Sequence, residues 1–301
     1  MSRAAIDQAA GVIRNGGIVA LRGIGGFQLI ASATHQQAVA RLRAVKRRPD
    51  KPLAVMLETS MRPEQFAHLD TVERELLTHT ANPIVLLTKR GRSQFAPGVC
   101  DRVDTIGLMR PSSPLHALLA RACELPVVVT SGNLEGDPLE VEIEAAERTL
   151  APGADLWLHH NRPILHPVDD SVVRVMAGRA ATIRLARGLA PLSLELPATR
   201  SGLALGGQLK VAVALANGRQ AVLGPHLGEL DSLRMRERWE QHLDEMVALY
   251  GCDPEFIACD QHPAAVSSRW SVGRGDRDIV VTSSGPQVCT VAAARRPAGE
   301  R

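Results

Sequence analysis

The stretch Lys46-Arg47-Arg48-Pro49-Asp50-Lys51-Pro52 sets cations and prolines between a helix-like run and a short apolar one. Pro49 and Pro52 forbid continuing a helix and stiffen the loop, so its cations suit a polyanion. A solvated basic turn is the plain alternative. A second loop, Thr130-Ser131-Gly132-Asn133, offers short polar groups around a glycine that permits a tight turn. It follows a β-branched run, and the C-terminal edge of a strand is where open α/β sheets bind ligands. Ser-Gly-Asn is also an ordinary turn. Two weaker candidates stand elsewhere. Arg22-Gly23-Ile24-Gly25-Gly26-Phe27 would allow close backbone approach to a ligand, but no G-K-[ST] follows to make it a P-loop. Asp169-Asp170 is an acidic pair able to hold a metal or cap a turn.

The elements that must position these loops follow from periodicity. Residues 37–45 place Ala38, Leu42 and Val45 on one helical face with Arg41 and Arg43 elsewhere. Residues 53–57 read as a buried strand. Before them, a helix over 4–14 ends at Asn15-Gly16-Gly17, and a strand covers 18–21. After them come helices over 60–67 and 71–80, a strand at 84–87 and a loop at 96–105. A strand at 106–109, a helix at 115–123 and strands at 127–130, 169–175 and 182–185 complete this half. Strands alternating with helices make the class α/β with a mixed or parallel sheet. Residues 192–200 read as a linker, with a domain boundary near Thr199. Beyond it, Gly206-Gly207-Gln208-Leu209-Lys210 precedes a hairpin turning at Asn217-Gly218, a helix at 233–250 and a strand at 256–259 ending in Asp260. The tail shows no helical period, and only residues 279–282 read as a strand.

Composition narrows the function classes. Aromatics at 3% leave little material for base stacking, and a net charge of +3 argues for local anionic ligands over a general polyanion-binding surface. No apolar run approaches a membrane span, and the N-terminus has no signal-peptide pattern. Cys100, Cys123, Cys252, Cys259 and Cys289 are scattered and never form C-x-x-C, which disfavours a disulfide framework or cysteine zinc site. A reduced, cytoplasmic protein is expected.

Lys46-x-Arg48 with Pro49, Ser131-x-Asn133 and the Ser-Val strand at Ser171 together resemble the YrdC/Sua5 family of adenylate-forming domains. More closely, the chain resembles the HypF hydrogenase-maturation carbamoyltransferases, in which such a domain precedes a Kae1-like, ASKHA-type domain. Gly25-Gly26-Phe27, Pro114-Leu115-His116, Arg162-Pro163-Ile164, Asp169 to Arg174, Gly206 to Lys210, His226 to Leu230 and Ala258 to Pro263 carry that likeness in order. It covers roughly residues 8–270.

The resemblance implies a YrdC-like twisted mixed sheet with helices over residues 1–198. A partial ASKHA (Kae1-like) α/β domain over 199–270 and a divergent, poorly ordered tail over 271–301 would follow. It implies ATP-dependent formation of carbamoyl-adenylate from carbamoyl phosphate or carbamate, with Mg²⁺ accompanying ATP. The carbamoyl group would pass to the C-terminal cysteine of a HypE-like acceptor, toward the cyanide ligands of NiFe hydrogenase. Lys46, Arg48, Ser131 and Asn133 are the implied catalytic residues. Lys51, Arg110, Ser171, Arg184 and Arg187 join them in nucleotide binding, while His35 and His116 are structural. In the second domain His226, Glu229 and Asp231 are candidates for a metal or nucleotide, against inert remnants. The family's acylphosphatase-like domain, C-x-x-C zinc region and histidine-rich metal site have no counterpart in this sequence, so the transfer half is expected to be incomplete. Threonylcarbamoyl-adenylate synthesis for tRNA modification is the second enzymatic reading, and a non-catalytic RNA-binding scaffold is the reading from another class.

Overall fold

The computed structural model describes residues 2–91, 94–196, 200–273 and 278–282. Two compact units divide the chain, Met1–Gly188 and Leu189–Arg301.

In the first unit the elements run α1 (Arg3–Arg14), β1 (Ile18–Arg22), β2 (Phe27–Ser32), α2 (Gln36–Lys46), β3 (Ala54–Met56), α3 (Thr71–Thr78), β4 (Ile84–Thr88) and β5 (Thr105–Met109). They continue through α4 (Pro114–Cys123), β6 (Val127–Ser131), α5 (Ile143–Leu150), β7 (Leu156–Leu158), β8 (Val172–Met176) and β9 (Arg179–Arg184). The nine strands form one mixed sheet in the order β7-β1-β2-β6-β3-β5-β4-β8-β9. Helices α1, α3 and α4 start where short polar side chains take up orphan N–H groups. Ser2 accepts from Ala5 N, Ser113 from His116 N, and Asp70 with Glu73 forms a reciprocal capping box. Apolar faces of α1 (Ala9, Ala10, Ile13) and α4 (Leu119, Ala120, Cys123) pack on Val19, Leu21, Ile30, Met56, Val127 and Val129 of the sheet. This core fixes the strand ends that carry the polar loops.

The second unit holds β10 (Leu192–Glu195), β11 (Gly202–Ala204), β12 (Val211–Asn217), β13 (Gln220–Gly228), α6 (Leu233–Tyr250), β14 (Phe256–Asp260), α7 (Val266–Val272) and β15 (Asp278–Thr282). Its sheet order is β10-β13-β12-β11-β14-β15. Helix α6 buries Met235, Trp239, His242, Leu243 and Met246, a stripe at helical spacing, between a Ser232 N-cap and a left-handed Gly251 C-cap. Trp239 Nε1 donates to Leu205 O at 3.1 Å, so even the largest buried ring has its polar atom satisfied.

Several local expectations need correction. Residues 60–67 do not form an α-helix; Pro63 holds Arg62 before it extended, and a 3-10 turn over Pro63–Gln65 follows. The segment read as a linker contains β10, which pairs with β13. Strands β2 and β7 and helices α5 and α7 were not anticipated. The acidic pair Asp169-Asp170 precedes β8 instead of starting it. The expected irregular tail lies outside the described residues from 283 onward, as does Cys289. Among the described residues no helix is long and apolar enough to cross a membrane.

Candidate active site

Lys46 is not on the basic loop, as its neighbours in sequence suggested. It is the last residue of α2 and only 3% exposed. Arg47 adopts a left-handed conformation (φ 50°) that ends the helix and turns the chain into the loop. The Lys46 ammonium donates to Ser131 O at 2.6 Å and Asn133 Oδ1 at 2.8 Å, and also to Asn133 O. Ser131 Oγ lies 3.4 Å from the same nitrogen and donates to Asn133 Oδ1 at 2.7 Å. An ammonium has three N–H donors and no acceptor, so this turn of oxygens is a matched receptor for it. Burial, reinforced by the Arg48 charge, pulls Lys46 down to about 7, with Asp169 and Glu135 opposing.

Gly132 sits where no other residue fits. A Cβ there would lie 2.6 Å from Phe27 O, and Gly132 N donates to that same oxygen at 2.6 Å. Asn133 Nδ2 closes the turn on Asp137 O at 2.6 Å. The turn therefore presents Ser131 and Asn133 at the end of β6 with their oxygens already ordered.

Arg43, one helical turn before Lys46, holds the basic loop in shape. Its guanidinium donates to Arg48 O at 2.7 Å, Pro49 O at 2.9 Å, Lys51 O at 3.2 Å and Gly98 O at 2.5 Å. The helical period sets Arg43 off the apolar face and assigns it no partner. Its place one turn from the helix end, where cations meet free carbonyls, was the available signal. With the loop splinted, Arg48 and Lys51 lie within reach of the charge of Arg184, the last residue of β9. Burial depresses Arg48 first, with Arg184 and Arg43 adding to it against Glu135 and Asp169. Lys51 is depressed by burial, then by Arg48 and Arg184, against Glu135 and Asp169. Cations that disfavour one another's charge form a site that gains when an anion enters. Arg48 Nε is buried with no hydrogen-bond partner.

The other expected ligands are engaged elsewhere. Arg187 spends Nε on Asp170 Oδ1 at 2.9 Å, Nη1 on Ala81 O at 2.9 Å and Nη2 on Asn82 O at 3.1 Å. Ser171 is fully buried, donating to Arg187 O at 3.0 Å and accepting from Ala186 N at 2.9 Å. Both are geometrically internal ties. Arg110 donates to Glu58 O at 2.6 Å and Met61 O at 3.0 Å, and the charges acting on it are Glu58 and Glu64. Asp170, half of the acidic pair, is taken up by Arg187 and by Gln28 Nε2 at 3.2 Å.

Gln28 also accepts from His116 Nε2 at 2.7 Å, and Ser113 Oγ lies 2.9 Å from His116 Nδ1. The network assigns a neutral Nε2–H tautomer, since Gln28 must use its amide N–H on Asp170. Burial lowers His116 to about 4, with Asp170 opposing and Arg187 reinforcing. Gln28 and Ser131 are direct partners across β2 and β6, so their side chains share one sheet face. The chain His116–Gln28–Asp170–Arg187 thus braces the strand beneath the Ser131 turn. His35 caps α2, its Nδ1 accepting from Ala38 N at 3.3 Å. The glycine-rich turn is closed: a Cβ on Gly25 would meet Val168 O at 2.2 Å.

In the second unit, Gln208 joins the Gly206–Lys210 turn to its surroundings. Its amide donates to Asp231 Oδ1 at 3.0 Å and accepts from Val266 N at 3.1 Å. Among the described residues no three His, Cys, Asp or Glu side chains are grouped to hold a metal ion, His226, Glu229 and Asp231 included.

The family pattern of Sua5, YciO and YrdC, described as "Telomere recombination", matches residues 11–186. The pattern described as "HypF Kae1-like domain" matches residues 197–282, running past Ser271 where the likeness was expected to end. Carbamoyltransferase HypF of Rhodobacter capsulatus is 40% identical over 282 residues, covering 91% of this chain and 37% of that protein. Carbamoyltransferase HypF of Synechocystis sp. is 38% identical over 269 residues, covering 89% and 35%. The crystal structure of full-length HypF in its phosphate- and nucleotide-bound form superposes with a TM-score of 0.88 at 35% identity, covering 92% of this chain and 44% of that one. The chain thus spans little more than a third of these curated relatives. It belongs to the Sua5/YciO/YrdC family, and carries that domain in the HypF arrangement, followed by a HypF Kae1-like domain.

Proposed function

We propose that the first unit forms carbamoyl-adenylate from ATP and carbamate, the latter free or derived from carbamoyl phosphate. The observation that carries this reading is the convergence of Arg48, Lys51 and Arg184 beside the Lys46-anchored Ser131–Asn133 turn. A carbamate oxygen would attack the α-phosphorus, forming an O–P bond as the bond to the β-phosphate oxygen breaks and pyrophosphate leaves. Both partners are anions, so the site must neutralise charge and hold them in line. Arg48 has an unused buried Nε and the forked geometry that suits phosphate oxygens. Lys51 and Arg184 would add charge on the departing pyrophosphate. Ser131 and Asn133 would orient the reacting groups, while Lys46 keeps the turn in shape. Mg²⁺ would enter largely on phosphate oxygens and water. Glu135 and Asp169, whose charges act on these cations, are the carboxylates suited to assist it.

In relatives with this domain order the name is carbamoyltransferase, and transfer to a HypE-like cysteine acceptor in hydrogenase maturation is the corresponding proposal for this chain. The test is pyrophosphate release from ATP and Mg²⁺ with carbamoyl phosphate or bicarbonate, with and without threonine. Carbamoyl-dependent, threonine-independent release is expected. Arg48→Ala and Lys51→Ala should each raise the ATP requirement about tenfold, the loss of one charge-assisted contact. Threonine-dependent release would favour the tRNA-modification reading, and salt-sensitive RNA binding without ATP turnover would favour the scaffold reading.

A further inference from the structure

A second buried cation lies at the same end of the sheet, and nothing in the mechanism above uses it. Arg22, the last residue of β1, is 4% exposed. Its Nη1 donates to His160 O at 3.0 Å and its Nη2 to Val141 O at 2.8 Å. Nε is buried with no hydrogen-bond partner, and so is Nδ1 of His160, the residue whose carbonyl Arg22 holds. No carboxylate among the described residues forms an ion pair with Arg22. Glu140, near in the fold because its carbonyl accepts from Phe27 N, has its own Oε1 engaged by Thr149 Oγ1 at 3.1 Å. The Phe27 ring lies 5.9 Å from the guanidinium carbon, which offsets part of the charge but supplies no acceptor for Nε.

A guanidinium cannot shed its proton, and a buried charge is ordinarily paired. Two neutral carbonyls and a ring face leave this one short of a counter-charge. Its location makes the deficit informative. Arg22 pairs with Phe27 across β1 and β2, and Phe27 O accepts from Gly132 N at the end of β6. Two strand spacings, roughly 10 Å, therefore separate the backbone of Arg22 from that of the Ser131–Asn133 turn. That places Arg22 at the same end of the sheet as the turn, outside the cluster of Arg48, Lys51 and Arg184.

We propose that Arg22 and His160 bind the small oxyanion co-substrate of the ATP reaction, a group of the carbamate, carboxylate or phosphate-monoester kind. Arg22 Nε–H and the imidazole Nδ1 are the donors left for it, and the permanent cation supplies the charge. This assignment rests on the proposed adenylation.

The full chain is first titrated with a non-hydrolysable ATP analogue to fill the basic cluster. The loaded protein is then titrated calorimetrically with inorganic phosphate, carbamoyl phosphate and bicarbonate in turn. At least one should bind, and which one does separates the phosphate from the carbamate source. Arg22→Lys should weaken that binding about tenfold or more, while analogue affinity stays within about twofold. His160→Gln keeps both carbonyl contacts of Arg22 and should weaken it about threefold to tenfold, so the proposal stays testable if Arg22→Lys does not fold. Absence of oxyanion binding to the loaded wild type would overturn the assignment. So would equal affinity in both variants, or loss of the oxyanion only in Arg48→Ala. If the analogue itself fails to bind, the adenylation reading falls, and the same titration on the free chain still decides the Arg22 site.

Discussion

Replacing Lys46 with methionine is expected to reduce carbamoyl-dependent pyrophosphate release about a hundredfold. Methionine keeps the length and apolar body of the side chain but removes the donors on Ser131 O, Asn133 O and Asn133 Oδ1. Without them the turn that orients the reactants is free to shift, and a displacement of about 1 Å at a reacting centre costs on the order of 10² in rate. Rate constants for wild type and Lys46→Met at saturating ATP decide it, and a loss confined to the ATP requirement would show that Lys46 only binds nucleotide.

The same residue predicts a pH dependence of stability. Lys46 falls from its ordinary 10.5 to about 7 in the folded protein, chiefly through burial. Between these values the unfolded chain binds the proton and the folded chain does not, so protons favour unfolding. The Lys46 contribution to stability therefore rises as pH increases from about 7 to 10.5, by up to about 1.4 kcal/mol per pH unit. Urea unfolding at pH 6.5 and pH 9 should show wild type gaining on Lys46→Met at the higher pH. Parallel changes in the two proteins would remove Lys46 as the titrating group.

The second large effect separates two arginines that sequence placed in the same role. Arg187→Met should destabilise the fold by about 3–5 kcal/mol, because it leaves the Asp170 carboxylate without its cation partner in a largely buried position. It also frees Ala81 O and Asn82 O, which Arg187 ties to the end of the sheet. Arg184→Ala, by contrast, should change stability by no more than about 0.5 kcal/mol and weaken ATP binding about tenfold. Chemical denaturation and nucleotide titration of the two variants make the comparison. Equal stability losses would show that Arg184 is as structural as its neighbour.

These arginines mark the limit of what could be read along the chain. Helix α6 was legible to its ends, since Ser232 and Gly251 cap a stripe of apolar residues at helical spacing. The hairpin at Asn217-Gly218 and the β-branched strand before Ser131 were equally plain, because turn chemistry and periodicity act over a few residues. The mixed α/β class and the family likeness followed from such local signals repeated in order. Strand β2 escaped because it begins directly after a glycine-rich turn, and β10 because four exposed residues carry no burial pattern. The site itself was half visible. Lys46, Arg48, Lys51, Ser131 and Asn133 were recognisable as groups suited to anions, and the sequence by itself determined that two loops could supply them. Only the tertiary structure decided which cations remain for a ligand. Arg43, Arg48, Arg110, Arg184 and Arg187 are chemically identical, and folding commits Arg43, Arg110 and Arg187 to acceptors it brings to them: Arg187 to Ala81, a separation of 106 residues in the chain. A guanidinium's role depends on which oxygens lie within about 3 Å of it, and no local spacing encodes that distance.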